Sequence, residues 1–327
     1  MQARDGLPDP VLVADIGGTN ARFAVADLDT LELSHIRLTL CRDHATAEAA
    51  LSAYLSGLSV KPKHAVLAVA APVSGEEVRL TNSHWRFAKT ELCRAAGFTD
   101  ICVLNDFEAL ALSLPTLNPS ELYQLGGTTP QDYATKVVLG PGTGLGVAGL
   151  IWSGERWIAV PGEGGHMSLG ANDARELALM ARLRKSGEYP SAEEVISGPG
   201  LVELYRAVAT SRNESVPETI DVVRQALNGG DAIADEALQL FIAWLGRFAG
   251  NVALAFGARG GVYIGGGIAP KIITAMASGT FRDAFEQNGR MRDYLAPIPV
   301  YVILAEFAAL KGAAAALRAR FARRSIA

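Results

Sequence analysis

Residues 13–27 read VADIGGTNARFAVAD: an apolar strand, a lone aspartate, two glycines, and then a second apolar stretch where a βαβ unit would open a helix. Taken with its flanks, residues 10–40, PVLVADIGGTNARFAVADLDTLELSHIRLTL, the pattern is strand, glycine turn, strand, DLDT turn, strand. That is an antiparallel meander. A second stretch, KVVLGPGTGLGVAGLIWSGERWIAVPG at 136–162, restarts the same program roughly 125 residues later when the two glycine turns are aligned. Two copies of one meander predict an α/β chain of two duplicated domains facing each other across a cleft.

Bulk properties agree with a two-domain chain that acts on small molecules. At 327 residues the chain exceeds the usual size of a single core. Lys and Arg number 30 against 34 Asp and Glu, a net charge of −4, which leaves no basic footprint for nucleic acid or an anionic membrane. Cys41, Cys93 and Cys102 form no C-x-x-C pair, so neither a disulfide framework nor a zinc site is expected, and the compartment is expected to be reducing. The opening MQARDGLPDP is polar and the apolar run after it is broken by Asp15, which is not the pattern of a secretory signal. The stretch ALQLFIAWLGRFAGNVALAF, 237–256, is long enough to span a bilayer but carries Gln239, Arg247 and Asn251. Its large apolar residues keep i, i+3, i+4 spacing, which predicts a helix buried against protein.

Between the meanders the sequence predicts helices near 45–57 and 88–96, strands at HAVLAVAAP and DICVLND, and an edge strand at EEVRLTN. In the second half Asn172 and Asp173 can cap a helix ending near Gly187, and Ser191 with Glu194 forms an S-x-x-E capping box. Asp231 can open a long helix that Gly257 ends. GGVYIGGGIAP (260–270) is a strand running into three glycines, and AEFAALKGAAAALRARFA (305–322) is a helix that, after a duplication, packs back on the first domain. SLPTLNPS, 113–120, with two prolines, is the best domain boundary. The expected domains are 1–115 with 305–327, and 116–304.

Glycine turns after strands suggest phosphate, because backbone N–H groups can approach an anion where no Cβ intervenes. A P-loop requires Gly-Lys-Ser/Thr, and the chain contains no Gly-Lys pair. A dinucleotide fingerprint opens a helix with G-x-G-x-x-G, whereas GPGTGLG misses the spacing and opens a strand. What remains is two hairpin turns, DIGGTN and GPGTGLG, presenting N–H groups and threonine hydroxyls to one polyphosphate. Either turn alone also reads as an ordinary tight turn; both, with GGG after a third strand, do not.

DIGGTNAR, LTNSHW, LNDFEA, GPGTGLG, PGEGGH, SAEEVISGPG and GGVYIGGGIAP, in that order and spanning nearly the whole chain, resemble the bacterial glucokinases of the proteobacterial type, within the hexokinase, actin and heat-shock chaperone superfamily. The resemblance implies two duplicated RNase H-like domains of the actin and hexokinase type flanking a cleft, an ATP- and Mg²⁺-dependent glucose kinase, a homodimer, and a cytoplasmic location. The cysteine-rich zinc motif of related ROK sugar kinases is absent, since GEGGH is followed by MSLGAND, so no structural zinc is expected. Asp15 is placed to hold Mg²⁺ through water beside the phosphates, although a turn aspartate accepting backbone N–H bonds looks the same. Gly17, Gly18, Thr19 and Asn20 from the first turn, and Gly142, Thr143 and Gly144 from the second, are the expected phosphate contacts. Gly265, Gly266 and Gly267 are expected to let adenosine lie against backbone.

By the same resemblance Asp106 accepts the proton of the sugar 6-hydroxyl and Asn105 hydrogen-bonds a neighbouring hydroxyl; the plain alternative for Asp106 is a helix N-cap. Glu163 and His166, three apart across two glycines, and Glu193 are implied sugar ligands, though Glu193 also sits where a helix dipole favours any acid. A kinase for fructose or an amino sugar shares the loops and the aspartate. A sugar-responsive repressor needs an N-terminal helix-turn-helix, for which about ten residues before the first strand leave no room. An actin- or chaperone-like ATPase would lack the converging sugar groups.

Overall fold

The computed structural model describes residues 10–81, 83–184 and 188–324. The described residues up to Asn118 and from Ala305 onward form one compact unit; Pro119–Leu304 form the other.

In chain order the first unit contains β1 (Val11–Ile16), β2 (Asn20–Ala26), β3 (Leu33–Leu40), α1 (Ala47–Ser56), β4 (His64–Val69), β5 (Glu77–Arg79), β6 (Arg86–Ala88), α2 (Lys89–Ala96), β7 (Asp100–Asn105) and α3 (Asp106–Ser113). The second contains β8 (Leu122–Gly126), β9 (Lys136–Pro141), β10 (Leu145–Trp152), β11 (Trp157–Gly162), α4 (Ala174–Leu183), α5 (Ala192–Val195), α6 (Gly198–Ser211), α7 (Val222–Asn228), α8 (Ala232–Phe256), β12 (Val262–Ile264), α9 (Ile273–Met276), α10 (Thr280–Glu286), α11 (Arg292–Leu295) and β13 (Val300–Ile303). The chain then returns to the first unit as α12 (Ala308–Arg324).

The meander of residues 10–40 forms as its glycine turn and alternating apolar residues predict, and its first strand is central. The sheet order is β3-β2-β1-β4-β7, with β1–β2 and β2–β3 antiparallel and β1, β4 and β7 parallel. Successive side chains of β1 enter opposite cores. Leu12, Ala14 and Ile16 join Leu51 and Tyr54 of α1 and Leu92 of α2. Val11 and Val13 join Ala109 of α3 and Leu310, Ala313, Ala314 and Leu317 of α12. A strand covered on both faces therefore reads as an unbroken apolar run. The α12 backbone lies so close to α3 that a Cβ on Gly312 would stand 1.8 Å from the Ala109 carbonyl oxygen.

The second sheet has the order β11-β10-β9-β12-β13-β8. Its first five strands repeat the first sheet's scheme: β9, β10 and β11 form an antiparallel meander, and β9, β12 and β13 run parallel. β8 is an addition, antiparallel to β13. Its core is built on α8, whose Phe241, Ile242, Trp244, Leu245 and Phe248 are fully buried. Gly246 and Gly250, four apart on one face, admit the α10 backbone, since Cβ atoms there would lie 2.3 and 2.5 Å from the carbonyl oxygens of Phe281 and Phe285.

Although α8 is long and apolar enough to cross a membrane, its Gln239, Arg247 and Asn251 are each partnered within the protein. Gln239 accepts from the Thr280 hydroxyl at 3.0 Å, and Asn251 accepts from the Asn288 amide at 3.2 Å. Arg247 donates to both carboxylate oxygens of Glu176 at 2.7 and 2.8 Å and to the Gly170 carbonyl at 2.7 Å.

Three local expectations change. EEVRLTN is a strand only over Glu77–Arg79, an edge that among the described residues pairs with β6 alone in a two-stranded ribbon, and Asn82 lies outside the described residues. The helix capped by Asp173 stops at Leu183, because Arg184 turns extended; Gly187, its expected end, lies outside the described residues. Asn172 is not the cap, but its backbone N–H donates to Glu176 at 2.7 Å.

Candidate active site

In the first unit the β1–β2 turn is closed by Gly17 N–H donating to the Asn20 carbonyl at 2.9 Å, so the backbone of Asn20 shapes the turn. The Cys41 backbone N–H donates to the Thr19 carbonyl at 2.8 Å, and the buried Cys41 thiol points to the Gly17 carbonyl at 3.4 Å. The antiparallel register sets Asp15 opposite Arg22, which donates to its carboxylate at 2.9 Å. Burial pushes the Asp15 carboxyl up from the usual range, and the Arg22 guanidinium pulls partly against that shift. Among the described residues no three His, Cys, Asp or Glu side chains gather as a metal cage. A single carboxylate suits Mg²⁺, which keeps several waters and takes further ligands from nucleotide phosphates.

At the β7–α3 junction the cap is Asn105, not Asp106. Asn105 Oδ1 accepts from the N–H groups of Phe107 at 2.9 Å and Glu108 at 3.2 Å, and its amide nitrogen donates to Ala71 O at 3.3 Å. Asp106 is the first helical residue, and its Oδ1 accepts from Phe107 N–H at 2.9 Å. A carboxylate in a first helical turn interacts favourably with the helix dipole. Glu108, half-buried two positions further along, has its carboxyl pushed up by burial, partly offset by the Asn105 backbone N–H.

In the second unit three distant segments meet. The 140–146 turn is closed by Gly142 N–H donating to Gly144 O at 2.8 Å. The stretch Glu193–Gly198 grips both its shoulders: Glu193 Oε2 accepts from Leu145 N–H at 2.8 Å, and Gly198 N–H donates to Gly142 O at 2.8 Å. Ser191 and Glu194 complete the expected capping box, which leaves Glu193 available for that contact. The third segment, Glu163–His166, makes a single 3₁₀ turn over Gly164–His166. Residues three apart in such a turn eclipse one another, so Glu163 and His166, both exposed, share one side. The turn lies directly on β10, because Cβ atoms on Gly165 and Gly164 would stand 2.0 Å from Leu145 O and 3.0 Å from Val147 Cβ. Ala192 N–H donates to Met167 O at 2.8 Å, joining this turn to the Glu193 segment.

Packing bears on the three consecutive glycines in different ways. Gly265 backs onto Gly140, where a Cβ would lie 2.4 Å from the Gly265 carbonyl carbon, and Gly266, with φ +80°, faces Pro141 O at 2.4 Å. Gly267 and Gly142 have nothing within 4 Å of a built Cβ, so these two keep open backbone for a ligand.

Residues 12–320 match the glucokinase family model. A glucokinase from Chelativorans sp. is 45% identical over 320 residues, 96% of this chain and 94% of its own length. The chain belongs to the glucokinase family.

Another member, from Tolumonas auensis, is 41% identical, covering 95% of this chain and 98% of its own. A solved glucokinase structure from an Antarctic psychrotroph superimposes with a TM-score of 0.83 at 36% identity, covering 96% of this chain and all of that one. Membership of the glucokinase family makes the chain a hexose kinase on an α/β sugar-kinase fold. The candidate site residues of this glucokinase-family chain fall into two sets. The first unit holds Asp15, Gly17, Gly18, Thr19, Asn20, Asn105 and Asp106; the second holds Gly142, Thr143, Gly144, Glu163, His166, Glu193, Gly265, Gly266 and Gly267. Sequence reasoning missed Arg22, although a two-residue turn after Asp15 already fixed its register partner, and missed the grip of Glu193 and Gly198 on the second turn, which leaves no local mark.

Proposed function

We propose that this chain transfers the γ-phosphoryl group of ATP to the 6-hydroxyl of D-glucose, giving glucose 6-phosphate and ADP and feeding glycolysis. The observation that carries the reading is the meeting, within one unit, of an open glycine turn with Glu193 and the Glu163–His166 turn. Phosphate-facing backbone beside several polar side chains is what a kinase for a polyhydroxylated acceptor requires.

In this reading Glu163, His166 and Glu193 take sugar hydroxyls, and Asp106 accepts the 6-hydroxyl proton as its oxygen attacks the γ-phosphorus. Asn105 has its carbonyl oxygen committed to the helix cap, so the N–H left over on its amide group is what it offers a sugar oxygen. Gly17, Gly18, Thr19, Gly142, Thr143 and Gly144 orient the phosphates, with Asn20 holding the first turn, and Gly267 is the residue of its triplet best suited to adenosine. Asp15 would hold Mg²⁺ through water, and that ion, when bound, neutralises charge on the phosphate oxygens.

The repeated strand order supports reading the two units as duplicated RNase H-like domains. The reading extends to a cytoplasmic homodimer; three free cysteines suit a reducing compartment, and sedimentation equilibrium tests the dimer. A coupled assay over a panel of hexoses with ATP and Mg²⁺ is expected to favour glucose; faster turnover of fructose or an amino sugar would reassign the substrate. Asp106→Ala should lower kcat by about 10²- to 10⁴-fold with nucleotide affinity retained. Near-normal kcat in that variant would leave Asp106 a helix-starting residue only.

A further inference from the structure

We propose that Glu193 is a positioning residue for the Gly142–Gly144 turn, fixing the shape in which that turn receives nucleotide phosphate. This rests on the kinase reading above and adds to it a role that reaches past the sugar.

The geometry is specific. Glu193 Oε2 accepts from Leu145 N–H at 2.8 Å. A Cβ built on Gly144 would stand 2.4 Å from that same oxygen, and its three nearest atoms are all Glu193 carboxylate atoms, at 2.4, 3.0 and 3.7 Å. Gly144 does not lie in the positive-φ region, so backbone conformation does not demand glycine there. A side chain at 144 would therefore have to displace the Glu193 carboxylate from the Leu145 N–H. The far shoulder of the turn is held by Gly198 N–H on Gly142 O, from the same short stretch. One side chain thus stands against the phosphate turn on one side while its segment is bonded, through Ala192 and Met167, to the turn bearing Glu163 and His166. A sugar that engages Glu193 therefore acts on the nucleotide turn within the same unit, and linkage requires the effect to be reciprocal.

The acceptor oxygen, rather than the charge, is what the turn needs. Glu193→Gln keeps an oxygen for Leu145 N–H, and Glu193→Ala does not. Affinity for a non-hydrolysable ATP analogue with Mg²⁺, measured by titration calorimetry without any sugar, should change less than about threefold in Glu193→Gln and weaken about tenfold in Glu193→Ala. Gly144→Ala should also weaken it about tenfold or more. In the Glu193→Ala background, however, Gly144→Ala should add less than about twofold, because the atoms it would strike are gone. Thermal unfolding of each variant accompanies the titrations. Should Gly144→Ala fail to fold, recovery of folding in the double variant is the same relief and supports the proposal. Additive losses, or Glu193→Ala with unchanged nucleotide affinity and a raised KM for glucose alone, would overturn it and leave the kinase reading standing. A parent protein that binds no nucleotide would overturn both.

Discussion

The Glu163–His166 turn offers a graded test with its control built in. Gly165→Ala places a Cβ 2.0 Å from the backbone oxygen of Leu145, and Cβ atoms in folded proteins essentially never come within 3.0 Å of another heavy atom. Backbone cannot rotate away as a side chain can, so the turn must shift by about 1 Å in a close-packed interior. Misplacement of binding groups by about 1 Å costs on the order of 10²-fold in turnover, or about 2.7 kcal/mol of transition-state stabilisation. Gly164→Ala meets Val147 Cβ and methyl groups at 3.0–3.2 Å, a milder contact, and Gly162→Ala meets nothing within 4 Å. In a coupled glucose-phosphorylation assay kcat/KM for glucose should therefore fall in the order Gly162→Ala, Gly164→Ala, Gly165→Ala, with Gly162→Ala within about twofold of the parent. Unfolding temperature should fall in the same order, the last variant losing about 1–3 kcal/mol from overpacking. Should Gly165→Ala match Gly162→Ala in activity, the shape of this turn would have no part in sugar recognition.

Arg247→Met strands the nearly buried Glu176 carboxylate and should cost about 3–5 kcal/mol, lowering the unfolding temperature by on the order of 10 °C; Glu176→Leu with Arg247→Met should recover much of it. If Arg247→Met alone is neutral in circular-dichroism melts, the pair is not holding α8 to the Gly170–Glu176 segment. Burial pushes the Tyr54 hydroxyl, which donates to His35 O at 2.9 Å, up to about 12 from 10. The folded protein thus keeps this proton more tightly than the unfolded chain does. Its contribution to stability is complete below about pH 10 and is lost as pH rises toward 12. Tyr54→Phe should flatten that alkaline decline while costing about 1 kcal/mol at neutral pH, read from urea unfolding at a series of pH values; an unchanged decline would mean that other groups carry it.

Both meanders were legible because a glycine turn between alternating apolar stretches leaves few other ways to bury them, and α8 because its apolar residues keep the helical period. The capping box at Ser191 and Glu194 is equally local, and it formed. What escaped are features that depend on a distant neighbour. A glycine records that no Cβ fits, but not what fills the space. Gly266 reads in sequence as backbone open to adenosine, and in the fold it also packs against the Pro141 carbonyl, while Gly140 is the residue that must be bare to meet Gly265. Gly144 looks like backbone cleared for phosphate, and its space holds Glu193, 49 positions later. The alternative of Asp106 as the α3 cap falls one residue off, because Asn105 and Asp106 are both good caps and only the β7 register, ending at Asn105, decides between them. Arg184 ends α4 with no glycine or proline to announce it.

The face of β1 that meets α12 has a consequence for synthesis. Val11, Val13, Ala24, Ala26, Val66 and Ala68 are covered by Leu310, Ala313, Ala314 and Leu317, nearly the whole chain away. At roughly 5–20 residues per second, translation produces those four residues roughly 15–60 s after β1. Residues 119–304, by contrast, carry everything their own unit requires before α12 exists. The unit that leaves the ribosome first is thus the later one to close its core. For that interval it presents a valine- and alanine-lined sheet face to whatever holdase or neighbouring nascent chain is at hand.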